Sequence, residues 1–363
     1  MPPSNSVSES SGFSEPLEPS SSFQLIDMAA ALAGNGASEQ PTDKAAAPGH
    51  ATSTAWACTR VLTGHTSWVR CVAVSADGNF IVSGSGDKTL RVWHLTTGHP
   101  LQHLGGHDAW VRSVAISPDS RCFASVSNDN AIYLWGLNNG RYLGQLEGHT
   151  NWVRAVAFST DGKYLFSGGQ DNKIHAWNVS DQTLLHQFNG HNHWVRTLAV
   201  SHDGTTLVSG SQDKTIRLHR IQGKGTDHVL TGHTAEVLSV AVSPNNWLLA
   251  SASADCTVRF WKLNSGRAIT CFKAHTAPVN CVQFSPDGKL LATASNDGTI
   301  RLWNIDQGKL VAILRGHEGW VWSVAFAPSP DGTLTLVSAG WDGTVRIWQP
   351  QPPAQVAIGR SPL

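Results

Sequence analysis

The chain has 363 residues, 40 % of them hydrophobic, and its 26 basic and 26 acidic side chains cancel. That balance argues against a protein whose main business is coating nucleic acid or an anionic membrane. No run approaches the roughly 18 apolar residues that a membrane span needs, and the N-terminus lacks the basic and apolar regions of a secretory signal. The six cysteines include no Cys-x-x-Cys pair, which fits reduced strand thiols rather than a disulfide framework or a zinc site. A soluble intracellular protein is expected, cytoplasmic, or nuclear in a eukaryote.

Residues 1–55 are rich in Ser, Pro and Ala and set six acidic side chains against Lys44 alone, a net −5. Such a segment buries too little to offset its ordering entropy, so a disordered acidic tail is expected. One island, Phe23–Ala33, has the apolar spacing of a short helix stopped near Gly34, either a partner-docking helix or a transient one.

From Trp56 a single unit takes over. Its histidine recurs at His65, His107, His149, His191, His233, His275 and His317, always 42 residues apart. A period in the forties marks one array rather than several domains. In the third copy, Val153, Val156 and Phe158 mark a strand that ends at Asp161-Gly162. Tyr164–Ser167, Ile174–Trp177 and Leu184–Phe188 give three more, separated by turn residues. Four short strands cannot stand alone, whereas seven such sheets arranged radially bury one another, which predicts an all-β, seven-bladed β-propeller over residues 56–349. Thr59–Leu62 is a fourth-type strand with no three strands ahead of it, and the segment 350–363 is broken by prolines. Strand 59–62 should therefore complete the last blade and close the ring.

The spacing of Gly-His, Asp and closing Trp resembles the WD-repeat propeller family, seven times over. The chain keeps the closing Trp and drops the Asp that often follows it, as in Trp93-His94 and Trp177-Asn178. A Ser, His and Asp in every copy could be mistaken for a catalytic triad, but seven near-identical sets argue against active sites. The resemblance implies structural tetrads instead. In the first three copies these are His65, Ser83, Asp87 and Trp93, then His107, Ser125, Asp129 and Trp135, then His149, Ser167, Asp171 and Trp177. Copy four offers His191, Ser209 and Asp213, with His219 where Trp is expected. The set continues as His233, Ser251, Asp255 and Trp261, then His275, Thr293, Asp297 and Trp303, then His317, Ser338, Asp342 and Trp348. Copy seven carries three extra residues around Ala327–Pro330. Gly223-Lys224-Gly225 is no phosphate-binding loop, and no cofactor or metal is expected.

Function must lie in how the copies differ. Before the first buried Val of each copy stand Trp68, Trp110, Trp152, Trp194, Glu236, Pro278 and Trp320, and two places later Arg70, Arg112, Arg154, Arg196, Leu238, Asn280 and Trp322. The residue before the turn Asp adds Gly86, Asn128, Gln170, Gln212, Ala254, Asn296 and Trp341. In WD-repeat propellers these positions border the central channel on one face, and copies five and six lack both Trp and Arg. Trp and Arg dominate binding hot spots, and an Arg fork suits carboxylate or phosphate. The expectation is a non-catalytic scaffold, monomeric within a larger complex, presenting this face to an acidic or phosphorylated protein or peptide. The alternatives are a nucleic-acid-binding propeller, disfavoured by the neutral charge, and a regulatory subunit of an enzyme complex.

Overall fold

A computed structural model describes residues 55–221, 228–328 and 333–351. The acidic tail with its Phe23–Ala33 island, Gly223-Lys224-Gly225, most of the copy-seven insertion and the C-terminal segment beyond 351 lie outside the described residues.

The described chain is all strand, 28 in number, arranged in seven antiparallel sheets of four. The third sheet shows the plan, with β10 (Val153–Phe158), β11 (Tyr164–Gly169), β12 (Ile174–Asn178) and β13 (Thr183–Phe188) paired in chain order from the channel outward. Each innermost strand opens on a valine that is fully buried, from Val69 through Val153 to Val321. The cores lie between sheets rather than within them. One cluster joins Ala124, Ile132 and Leu134 of the second sheet to Val153, Val156 and Trp177 of the third. Close approach explains Gly168: a Cβ there would stand 2.6 Å from Val195 of the next sheet. Side-chain hydroxyls also cross the seams, since Ser323, Thr197 and Ser239 accept from the amides of Val72, Val240 and Val282 at 3.2–3.3 Å.

The seventh sheet is built from both ends of the chain. β26 (Val321–Ala327), β27 (Thr335–Gly340) and β28 (Val345–Pro350) are followed outward by β1 (Trp56–Leu62). Pairing runs from Trp56↔Pro350 to Leu62↔Val345, so the strand begins three residues before the 59–62 read from sequence.

Every innermost strand carries a bulge at one place. In β10 the pairing jumps from Val153 to Ala155, leaving Arg154 as the extra residue. The same jump skips Arg70, Arg112, Arg196, Leu238, Asn280 and Trp322. A bulge re-aims a side chain. Here it turns one residue per sheet into the channel.

Candidate interaction face and channel mouth

Beneath the face, the repeat residues meet as hydrogen-bonded chains. His Nδ1 lies 2.8–3.0 Å from the Asp carboxylate in all seven copies, on Asp87, Asp129, Asp171, Asp213, Asp255, Asp297 and Asp342 in turn. His Nε2 lies 2.7–2.9 Å from a hydroxyl on the second strand of its sheet. His65 meets Ser83 in this way, His107 meets Ser125, His149 meets Ser167 and His191 meets Ser209. His233 meets Ser251, His317 meets Ser338, and His275 meets Thr293, whose Oγ1 serves as well as a serine Oγ. The indoles of Trp93, Trp135, Trp177, Trp261, Trp303 and Trp348 donate to the same hydroxyls at 2.8–3.0 Å. In copy four His219 Nε2 takes the indole's place, 3.1 Å from Ser209.

A carboxylate only accepts, so Nδ1 carries the proton, Nε2 accepts from the hydroxyl, and the hydroxyl accepts from the indole. Each hydroxyl is fully buried, which gives a substrate no access to it. Burial pushes the Asp87 carboxyl up, but hydrogen bonds from His65 and Thr89 outweigh it and hold the group well below the usual carboxylate range. Asp213, Asp255, Asp297 and Asp342 are held low in the same way by their own histidines.

His175 adds a contact that the repeat pattern does not announce. It stands two places before the closing Trp, where other copies have Arg91, Tyr133 or Arg217, and it stacks on His149 at 4.0 Å and 13°. Together with Asp171 these rings bring three groups able to ligate a metal within 4.8 Å. Near-parallel rings aim their lone pairs side by side rather than at one point, and both nitrogens of His149 are already engaged. That arrangement makes a stack, not a metal centre.

Burial, then the neighbouring His149, pulls His175 down to about 4. A depressed base contributes stability above its unfolded value near 6.5, and that contribution fades as pH falls through the folded value. The loss reaches roughly 2–3 kcal/mol at pH 4.5. In copy two, Tyr133 stacks on His107 at 4.4 Å, and a phenol does not titrate in this pH range. His175→Tyr should therefore shrink the fall in melting temperature between pH 7 and 4.5 by about 5 °C. Equal falls in the two proteins would refute the assignment.

Above the tetrads, the bulged residues converge. Arg70, Arg112, Arg154, Arg196, Leu238, Asn280 and Trp322 line one cavity of about 130 Å³ at the channel. The tryptophans stand around it: Trp110, Trp152, Trp320 and Trp341 are exposed, while Trp68, Trp194 and Trp322 are half-buried. They are not independent. Trp68 meets Trp110 at 5.2 Å and Trp322 at 4.9 Å, and Trp341 meets Trp320 and Trp322 at 5.3 and 5.4 Å, all edge-on or tilted. Guanidinium groups interleave with them, Arg154 lying 5.0 Å from Trp194 and Arg112 5.1 Å from Trp110. Such contacts stabilise a desolvated cation.

The sequence pattern leaves copy five outside the arc, and the structure shows a contact from it. The guanidinium groups are half-buried in the channel, and Glu236 of copy five reaches back to pair with Arg196. Four cations thus line the cavity, and Arg196 among them is paired with a carboxylate. Burial, followed by repulsion from Arg196, Arg112 and Arg70, pulls Arg154 down to about 8. Arg112 is pulled to about 10 for like reasons. A guanidinium keeps its charge regardless, so the shifts register a crowded, poorly compensated field that an anion would relieve.

Residues 170–357 match the family model described as IFT122 first beta-propeller, and 56–94, 98–136 and 140–178 each match the one described as WD domain, G-beta repeat. The chain belongs to the WD-repeat β-propeller family, a class of interaction scaffolds that is typically non-catalytic. Among curated proteins it is similar to pre-mRNA-splicing factor PRP46 of Eremothecium gossypii, 54 % identical over 44 residues, which is 12 % of this chain and 10 % of that one. Human pleiotropic regulator 1 is 44 % identical over 43 residues, 12 % of this chain and 8 % of the relative. The chain thus spans about a tenth of the length of these relatives. The matched stretch is one repeat long, so what is shared is the blade.

Proposed function

We propose that the protein is a non-catalytic scaffold, and that its Trp/Arg face takes an acidic or phosphorylated segment of a protein partner. One observation carries the reading: four guanidinium groups line the channel, only Arg196 among them paired with a carboxylate among the described residues, and exposed indoles stand around them. Indoles supply contact area at low entropic cost, and forked cations select carboxylate or phosphate. The arc runs from copy seven through copy four, from Trp320, Trp322 and Trp341 to Trp194 and Arg196.

Trp152 and Arg154 sit at its middle. Affinity capture from lysate with the full chain, scored by mass spectrometry, identifies the partner. Replacing both residues with alanine should then weaken that partner by roughly 2–4 kcal/mol, about 30- to 1,000-fold. Leu184→Ser with Leu185→Ser, on the outermost strand β13 and exposed, serves as the control. Loss of binding in the control with retention in the face variant would move the site elsewhere.

A second reading, a subunit of a nuclear ribonucleoprotein complex, rests on relatives that are named as splicing factors. Steep loss of affinity for RNA with rising salt would favour direct nucleic-acid contact, whereas salt-tolerant capture of a protein favours the first reading.

A further inference from the structure

The four arginines of the channel are not equivalent. Arg112 Nε donates to Asn128 Oδ1 at 2.7 Å. Arg154 Nε donates to the Gln170 amide oxygen at 2.9 Å once that amide is turned to face it. Arg196 is paired with Glu236. Asn128 and Gln170 occupy the place before the turn Asp, and in copy one that place is Gly86. Trp68 fills the space instead, so closely that a Cβ at Gly86 would stand 2.5 Å from its ring.

Arg70 is left with Trp322 under its guanidinium at 5.2 Å and with no hydrogen-bond acceptor among the described residues. Burial and the nearby Arg196 pull it down to about 10. Arg196 has a buried Nε, and Gln212 of the same copy a buried amide oxygen, each without a partner. The fork of Arg70 lines the cavity with no acceptor of its own, and an anion seated there would supply one.

The shape of the missing acceptor follows from the surroundings. A carboxylate offers two coplanar oxygens and one charge, which a single fork satisfies. A phosphoryl group offers three oxygens in a tetrahedral array and close to two charges, which forks arriving from different sides of a ring can share. The cavity of about 130 Å³ has room for such a group.

We propose that the channel mouth seats one phosphoryl group of a phosphomonoester, held by Arg70 and shared with Arg112 and Arg196. The proposal rests on the Trp/Arg face being the ligand-binding face, and it assigns the phosphorylated side chain of the partner to this corner. Gly86 is the specificity element, because its missing side chain leaves Arg70 unclaimed.

The test uses the full chain and small probes, so it needs no partner. Inorganic phosphate, sulfate and acetate are titrated at constant ionic strength, and binding is read from the thermal shift and from tryptophan fluorescence. Phosphate should bind at least tenfold more tightly than acetate. Its affinity should rise with pH as the second proton leaves, while sulfate stays flat. Arg70→Ala should weaken phosphate about tenfold. Glu236→Gln, which releases Arg196 from its carboxylate, should strengthen it several-fold, and this gain cannot come from misfolding. Equal affinity for acetate and phosphate overturns the proposal, as does indifference of phosphate to both substitutions. If phosphate fails while the partner still depends on Trp152 and Arg154, this inference falls and the scaffold reading stands. If phosphate binds through Arg70 while the partner ignores Trp152 and Arg154, the partner's site lies elsewhere and the anion site stands.

Discussion

Deleting residues 1–64 should abolish the cooperative melt of the propeller or lower its midpoint by more than about 10 °C, whereas deleting residues 1–50 should leave it in place. The longer deletion removes all of β1, which pairs with β28 along its whole length and carries Leu62 into the core of the closing seam. That core holds Val69, Val72 and Trp93 of the first sheet beside Val337, Val345 and Ile347 of the last. Trp56 and Cys58 pack on the neighbouring cluster around Trp348. Thr59 Oγ1 donates to the Ile347 carbonyl at 3.2 Å. Emptying one buried leucine site alone costs about 2–5 kcal/mol, and unpairing β28 exposes a new edge. The total is comparable to the net stability of an ordinary domain. Equal melting temperatures for the two truncations would defeat the closure argument.

Asp171→Ala should lower the stability of the protein by roughly 3–5 kcal/mol, about 10 °C in melting temperature. Its carboxylate receives His149 Nδ1 at 2.8 Å and the amides of Thr150 and Lys173 at 3.2 Å each. The substitution leaves three donors unmet, and of these the His149 ring is buried away from water while the Thr150 amide is exposed. Because Ser167 Oγ accepts the Trp177 indole while donating to His149, loss of the anchor at one end also frees the imidazole at the other. Asp171→Asn is the companion variant. Its amide keeps an acceptor oxygen but no charge, so it should fall between wild type and alanine. A shift of less than about 2 °C for Asp171→Ala would show that the tetrad is ornamental to stability.

Most of the architecture could be read from the chain because it is set by local rules repeated seven times. Period-two apolar alternation fixes the strands, Asp-Gly turns divide them, and the constant interval fixes the number of sheets. The bulge is visible too, since Val69, Val72 and Val74 break strict alternation. What lies beyond reach depends on neighbours far apart in sequence. Glu236 reads as an interruption of the arc until the ring brings it to Arg196, one sheet back. Trp68 and Trp322 touch only because the ends of the ring meet. The stack of His175 on His149 has a signal, the odd residue at a position mostly held by Arg, but no rule ties that residue to the imidazole below it.

The ring is fastened by its own two ends. Gln351 donates its amide to the Ala55 carbonyl at 2.6 Å, so the first and last described residues lie side by side. The break in the covalent chain therefore falls between the third and fourth strands of one sheet, and nothing in the other six distinguishes that place. A circular permutant that joins residue 351 to residue 55 through a short linker and opens the turn at Asn138-Asn139 would seal its second sheet as the native chain seals its seventh. Cyclic order is what the repeats encode, and the point at which the numbering begins is arbitrary with respect to it.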